Sequence, residues 1–317
     1  MTVKKFNYFR FGVFIIILIV LIVGIIKIIN KINYTKTYEY KLLKVGYNTD
    51  EIKIINEKLD NKIKDKIVNQ KYNEYLALFL KEKYFIYNNL DKYIEYYKEN
   101  EEEYSKVIAI INTEANIDWF DNEKETDLSK GDLILVNRLY GLKKDYIAKD
   151  IVDIPTKYAY DGKKINKNVL DHIIDMFESA KIEGYTFVVS DGFRTYKEQE
   201  DIYNNYADSF SKSEADEYVA RPGHSEYETG LSFNIEIYNK YYDNPKLSQE
   251  YIWLKENAHK YGFIFRFPEN KEDLTKFPTD YYRLRYVGVD AATTIYYDEI
   301  SFEEYYAYYI RGEKNER

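Results

Sequence analysis

The sequence predicts an α+β protein in which one transmembrane helix and a helical region precede a mixed domain. Three observations support this prediction. Residues 11–26 form an uncharged apolar run, apolar residues recur at helical spacing between positions 52 and 97, and from residue 107 onward short β-type runs alternate with helical patterns. At 317 residues, the chain is long enough for one sizeable domain beside the helical parts.

The first element predicted is a membrane helix over residues 11–29, preceded by a short cytoplasmic tail over residues 1–10. About twenty apolar residues span a bilayer, and the Lys27 stem can reach the interface. No small-residue cleavage pattern follows the apolar run, which favours an uncleaved signal-anchor. Three basic residues precede the apolar run of residues 11–26 and three follow it, so charge alone does not orient the helix. They are Lys4, Lys5 and Arg10 before the run and Lys27, Lys31 and Lys36 after it.

The next element is a helical spacer over residues 30–104. Asn48, with Glu51 three residues later, is typical of a helix N-terminus. The apolar residues that follow at helical spacing are Ile52, Ile55, Leu59, Ile63 and Ile67. Further apolar residues between positions 76 and 97 predict a second and a third helix. We interpret these stripes as packing faces.

The last element is a mixed domain over residues 105–317. Residues 187–189 and 231–235 read as strands, and residues 170–180 and 253–261 read as helices. The net charge of −8 argues against nucleic acid as a partner, since phosphate binding depends on a basic face. The chain contains no cysteine, which excludes disulfides and a thiolate nucleophile.

Two motifs carry a resemblance to a known family. Residues 222–235 read PGHSEYETGLSFNI, and residues 280–288 read DYYRLRYVG. They resemble the segments P-G-H-S-E-H-Q-T-G-L-A-F-D-I and E-P-W-H-L-R-Y-V-G of VanY-like D-alanyl-D-alanine carboxypeptidases. The resemblance extends over about residues 105–310 in ordered landmarks, and it implies the hedgehog/D,D-peptidase-like zinc-carboxypeptidase fold.

The resemblance also implies where this chain departs from the family. The histidine and aspartate zinc ligands of the first motif are replaced by Tyr227 and Asn234, the last histidine ligand by Arg283, and the general base by the shorter Asp280. A neutral phenol, an amide oxygen and a charged guanidinium are poor zinc ligands. We therefore expect no cofactor, although the family uses zinc.

The three histidines do not restore a zinc site in the sequence. His172 and His259 fall in helical patterns and are interpreted as packing residues. His224 matches a histidine of the family pattern that does not bind zinc, so the resemblance implies a supporting role. Counting seven positions on from His224, the family's ligand spacing, leads to Leu231, which cannot bind a metal.

The ligand-binding part of the family pattern is better kept. By resemblance, Arg194 and Ser225 are expected to hold the terminal carboxylate of a peptide, with Gln199 as a helper. Arg283 is a further candidate for binding a carboxylate. Two alternatives stay open: Arg194 and Gln199 tie loops together, or Arg283 pairs with Asp280 and fills a disused pocket.

These observations predict a single-pass cell-membrane protein whose large domain lies outside the cytoplasm and binds peptidoglycan stem peptides or a D-Ala-D-Ala terminus without hydrolysis. The outward orientation comes from the family's role in the cell wall. Two alternatives are an active D,D-carboxypeptidase that trims terminal D-Ala, with Asp280 as base and unusual metal ligands, and a purely structural wall scaffold.

Overall fold

The computed structural model describes residues 8–238, 240–242 and 245–311. Residues 1–7 of the predicted cytoplasmic tail and the last six residues of the predicted mixed domain lie outside this part of the chain. The chain divides into two compact units, with the boundary between Ser105 and Lys106. Each unit is described by itself.

The first unit is helical. Its helices are α1 (Tyr8–Thr35), α2 (Tyr38–Val45), α3 (Thr49–Lys58), α4 (Asn61–Ile67), α5 (Leu76–Phe79) and α6 (Leu90–Asn100), and α7 (Tyr104–Thr113) begins at its end. Within the described ranges, one helical segment, Phe11–Thr35, is long and apolar enough to cross a membrane by length and composition, with a mean hydropathy of 3.3.

The predicted helix start at Asn48 is confirmed. The Asn48 side chain accepts hydrogen bonds from the backbone N–H groups of Asp50 and Glu51, each at 3.0 Å, and Glu51 accepts from the Asn48 N–H at 2.8 Å. The apolar stripe that follows is buried but does not form one helix. It breaks at Leu59, because Asp60 caps a new helix by accepting from the Ile63 N–H at 2.8 Å.

The second unit mixes helices and strands. Its strands are β1 (Lys124–Glu125), β2 (Tyr140–Gly141), β3 (Ile151–Asp153), β4 (Lys164–Asn166), β5 (Phe187–Asp191), β6 (Ser232–Ile237), β7 (Phe263–Phe267) and β8 (Asp280–Tyr286). Its helices after α7 are α8 (Lys167–Ile182), α9 (Tyr196–Ser209), α10 (Lys212–Tyr218), α11 (Gln249–Asn257), α12 (Glu272–Thr275), α13 (Val289–Asp298) and α14 (Phe302–Tyr305). The predicted strands at 187–189 and 231–235 and the predicted helix at 170–180 lie within or largely within β5, β6 and α8.

The main sheet of this unit has four antiparallel strands in the order β5-β6-β8-β7. Helix α8 and the sheet share one buried apolar cluster, which includes Ile173, Met176, Phe177, Val189, Phe233 and Leu284. Burial of this apolar surface fixes which face of the central strand β6 points into the core. The alternate residues of β6, among them Asn234, point to the other face, where the candidate site lies.

Candidate functional site

Three polar residues form a row across the sheet. Asn234 of β6 pairs with Asp191 of β5 on one side and with Arg283 of β8 on the other. Directly paired residues of neighbouring strands place their side chains on the same face. The register therefore brings together two of the predicted degenerate metal positions, Asn234 and Arg283, and adds Asp191, which the sequence did not single out.

The third degenerate metal position, Tyr227, is joined to this row. It lies in a short helical turn, Glu226–Thr229, and only 3% of its surface is exposed. Its hydroxyl donates a hydrogen bond to Asn234 Oδ1 at 2.6 Å. Burial raises the pKa of Tyr227 above its ordinary value, and the nearby guanidinium groups of Arg283 and Arg194 only partly oppose this. The phenol is therefore a neutral donor.

Arg283 completes the contact. Its Nε lies 3.4 Å from Asn234 Oδ1 and 3.4 Å from Asp280 Oδ2, and the guanidinium carbon lies 4.8 Å from the centre of the Tyr227 ring. Burial lowers the pKa of Arg283, but Tyr227 and Asp280 outweigh it, so that the pKa is raised overall. The guanidinium stays charged, and about a quarter of the side chain is exposed.

Asp280, at the predicted general-base position, begins β8 and bonds mainly to its own strand. Its Oδ1 accepts from the backbone N–H groups of Tyr282 at 2.9 Å and Arg283 at 3.2 Å. The remaining oxygen, Oδ2, faces the Arg283 Nε at the longer distance given above. The Arg283–Asp280 ion pair considered from the sequence is thus present, but it engages only one edge of the guanidinium.

Arg194 and Gln199, predicted to bind a ligand, are bonded to each other. Arg194 Nη1 donates to Gln199 Oε1 at 3.1 Å, and Arg194 Nη2 pairs with Asp191 Oδ2. Gln199 is 1% exposed, and its amide nitrogen donates to the Ala220 carbonyl at 2.7 Å. The Arg194 guanidinium also lies 4.3 Å from the centre of the Tyr227 ring. These contacts connect the β5–α9 loop to the turn that carries Tyr227.

Ser225 precedes that turn and is 3% exposed. Its backbone N–H donates to Glu228 Oε1 at 3.4 Å, and the Gly223 N–H donates to the same oxygen at 2.8 Å. Burial raises the pKa of Glu228 to about 7, against the opposing effect of these two amide bonds. The Glu228 carboxyl therefore holds the segment that carries Ser225.

A cluster of buried charged residues anchors the turn Glu226–Thr229, and the sequence analysis did not predict it. Arg266 of β7 is fully buried and donates to Glu226 at 2.7 Å and to both oxygens of Glu303 at 3.0 and 2.6 Å. Arg285, also fully buried, lies 3.3 Å from Glu226. Since Glu226 immediately precedes Tyr227, this cluster fixes the start of the turn. The sequence signal was weak: Arg266 lies in the apolar run F-I-F-R-F, whereas Glu226, Arg285 and Glu303 lie in segments that contain other polar residues.

The three histidines lie in separate places. His172 hydrogen-bonds the Tyr286 hydroxyl at 2.9 Å, and His259 stacks on Tyr296 with ring centres 3.9 Å apart. His224 Nδ1 lies 2.8 Å from the Asn137 carbonyl oxygen, a structural contact that suits the supporting role implied for it. In the described part of the chain, no group of three or more His, Cys, Asp or Glu residues is arranged to hold a metal ion.

Zinc does not fit the residues at this site. The donor atoms at the three positions are a neutral phenol, an amide oxygen and a guanidinium, and the amide oxygen already accepts from the other two. A catalytic zinc ion needs about three ligands with free lone pairs, and the charged Arg283 would repel it. We therefore derive no reaction step that passes through a metal.

Comparisons with known proteins agree with the predicted family. The model of the VanY family, described as D-alanyl-D-alanine carboxypeptidase, matches residues 162–289. The putative carboxypeptidase YodJ of Bacillus subtilis (strain 168) is 36% identical over 181 residues, which are 55% of this chain and 66% of that protein. A D-alanyl-D-alanine carboxypeptidase of Enterococcus faecalis (strain ATCC 700802 / V583) is 31% identical over 192 residues, 58% of this chain and 68% of that protein.

A solved structure shows the same similarity. The LD-carboxypeptidase LdcB, whose structure is described as revealing the molecular basis of peptidoglycan recognition, superimposes with a TM-score of 0.56 and 34% sequence identity. The match covers 59% of this chain and 91% of that chain. The chain thus spans about two thirds of the length of its curated relatives and nearly all of this solved domain.

Proposed function

Because the chain belongs to the VanY family of D-alanyl-D-alanine carboxypeptidases and has the zinc D,D-peptidase fold, we propose that its large domain binds the D-Ala-terminated stem peptides of peptidoglycan without hydrolysing them. One observation carries the proposal. The three degenerate metal positions, Tyr227, Asn234 and Arg283, are bonded to one another, with Asn234 Oδ1 accepting from both neighbours. This arrangement offers a metal only a neutral phenol and an amide oxygen that already accepts two hydrogen bonds, beside a charged guanidinium, which are poor zinc ligands.

The substrate class follows from the relatives. The Enterococcus faecalis relative is named for D-alanyl-D-alanine, and LdcB is described by peptidoglycan recognition. In both cases the name carboxypeptidase implies a peptide with a free carboxyl end, and an arginine fork suits such a carboxylate. Arg283 is the proposed carboxylate-binding residue. Arg194, Gln199 and Ser225, to which the resemblance pointed, lie around the same face of the sheet, and we propose that they hold the turn that carries Tyr227.

The proposed organisation follows the sequence prediction. Residues 1–10 form a cytoplasmic tail, residues 11–29 an uncleaved membrane anchor, residues 30–104 a helical spacer and residues 105–317 the peptide-binding domain. The apolar segment Phe11–Thr35 supports the anchor, and the cell-wall role of the family supports a location outside the cytoplasm for the domain. The protein then holds stem peptides close to the membrane surface.

The test uses the full chain in detergent. After incubation with zinc and desalting, we expect mass spectrometry to find far less than one zinc per chain, and we expect no release of D-Ala from a stem pentapeptide. Calorimetry with the same pentapeptide is expected to show binding. The Enterococcus faecalis relative, prepared in the same way, is the positive control for release. About one zinc per chain together with D-Ala release contradicts the proposal and favours an active carboxypeptidase. Absence of both zinc and binding favours a scaffold.

A further inference from the structure

The two arginines of the site differ in how many of their donors are already used. At Arg194, Nη1 donates to Gln199 Oε1 at 3.1 Å and Nη2 pairs with Asp191. Both terminal nitrogens, which a ligand carboxylate needs for a two-point contact, therefore have protein acceptors. Gln199 is itself fixed by its bond to the Ala220 carbonyl. Binding a ligand at Arg194 requires breaking at least one of these contacts.

Asp191 is held in place from two sides. Its Oδ1 accepts from the Gly192 N–H at 2.9 Å, while its Oδ2 pairs with Arg194. Lys163 adds a second positive charge, with its Nζ 3.7 Å from Oδ1. The Asp191 carboxylate thus occupies Nη2 of Arg194, a donor that a ligand carboxylate would need for a two-point contact. It is an internal competitor for that donor.

Arg283 is in the opposite situation. Its Nε faces Asn234 and Asp280, and Tyr227 is a further polar neighbour, but Nη1 and Nη2 make no hydrogen bond to a carboxylate or amide oxygen of the described residues. Buried polar atoms that lack a hydrogen-bond partner do occur in this protein, but Arg283 Nη1 and Nη2 do not belong to them, so both nitrogens are accessible to solvent. The guanidinium lies 4.8 Å from the centre of the Tyr227 ring and 5.2 Å from that of Phe267. The two rings pack against the guanidinium and limit its orientation, while Nη1 and Nη2 stay accessible to a ligand.

We infer that the carboxylate of the ligand binds to the terminal nitrogens of Arg283, and that Asp191 excludes Arg194 from carboxylate recognition. The inference rests on the proposed function, because it names the contact by which the same site receives a peptide. It places the carboxylate at a position where the family has a metal ligand. It also makes Asp191 a residue that sets specificity although it touches no ligand, because it decides which arginine is available.

The first experiment is calorimetry on the full chain in detergent, with a stem pentapeptide ending in D-Ala-D-Ala and the same peptide carrying a C-terminal amide. We expect the amide and the Arg283→Gln variant each to weaken binding at least about tenfold, and Arg194→Gln to change it less than about threefold. Asp191→Asn is expected to keep or strengthen binding, because it frees Arg194. A loss at Arg194→Gln that equals or exceeds the loss at Arg283→Gln overturns the inference.

A second experiment needs neither variants nor peptide binding. Phenylglyoxal modifies guanidinium groups with free terminal nitrogens, and peptide mass mapping identifies the modified residue. We expect Arg283 to react before Arg194, and N-acetyl-D-alanine, a monocarboxylate, to protect Arg283. Faster reaction of Arg194, or no protection of Arg283, overturns the inference. If the pentapeptide does not bind but Arg283 is protected, the proposed function fails while the carboxylate site remains.

Discussion

The buried Glu228 carboxyl is expected to make the free energy of unfolding depend on pH. Its side chain is almost fully buried, with 4% of the residue exposed, and its pKa is raised from 4.5 to about 7 because burial disfavours the charged form. A carboxyl with a raised pKa in the folded state binds its proton more tightly there than in the unfolded chain. The folded protein therefore loses stability as the pH rises from 4.5 through 7.

The size of this loss of stability follows from the difference between the ordinary pKa of Glu228 and its raised pKa in the folded protein. At about 1.36 kcal/mol per pH unit, a pKa near 7 instead of 4.5 costs about 3 kcal/mol once the pH exceeds 7. The variant Glu228→Gln removes the titration and keeps an oxygen that can accept from the Gly223 N–H. We expect it to raise the free energy of unfolding by up to about 3 kcal/mol at pH 8, and to change it little at pH 4.5.

Chemical denaturation of the full chain measures this effect. The chain has two tryptophans, Trp119 and Trp253, and both lie in the second unit, so tryptophan fluorescence reports on the unit that contains Glu228. Glu125→Gln is the control, since the Glu125 side chain is 59% exposed and its change is expected to matter little at either pH. If Glu228→Gln destabilises the protein equally at both pH values, the reasoning is refuted, because Glu228 then adds no pH-dependent cost to the folded protein.

Two further predictions concern the support and the chemistry of the site. Glu303→Gln removes one of the two carboxylates that pair with the buried Arg266 and leaves Glu226 as the other. It is expected to lower the free energy of unfolding by about 3 kcal/mol in the same assay, against less than about 1 kcal/mol for Glu125→Gln. Equal effects of the two variants contradict the role of the cluster. The triple variant Tyr227→His, Asn234→Asp, Arg283→His is expected to retain about one zinc per chain after desalting, whereas Tyr227→His alone retains none. If the triple variant binds no zinc, these three positions do not lie close enough to bind one metal ion.

The parts of the fold that the sequence predicted are those with local signals. The apolar runs of β5 and β6, the helical pattern of α8 and the Asn48 cap each lie within a few neighbouring residues. The break between Leu59 and Asp60 was missed, because the apolar stripe continues across it and only the cap of Asp60 marks the new helix. Strands β7 and β8 were not recognised as strands from their aromatic and basic residues. Their place in the sheet depends on pairing with distant segments.

The residues of the candidate site also fall into two groups, those that the sequence motifs identified and those that only the structure identified. The residues that the resemblance pointed to, Tyr227, Asn234 and Arg283, contact one another as expected from aligned family positions. Asp191 and the buried Arg266 could not be predicted, because their importance comes from partners far away in the chain or from strand register. A charged residue in an apolar segment signals only that some partner exists, and it does not say which one.

The side chains at the family's three metal positions are hydrogen-bonded to one another, and this limits how a zinc site could be built here by substitution. Asn234 Oδ1 accepts from both the Tyr227 hydroxyl and the Arg283 Nε. Returning only Tyr227 to histidine leaves the guanidinium in place, and returning only Arg283 to histidine removes the charge but leaves a phenol and an amide as ligands. Each single change also removes a hydrogen-bond partner from a half-buried or buried group, at a cost of about 1 to 3 kcal/mol. A metal site is therefore not reached by one favourable step from this sequence, and no one of these changes converts the proposed carboxylate-binding arrangement around Arg283 into a zinc site.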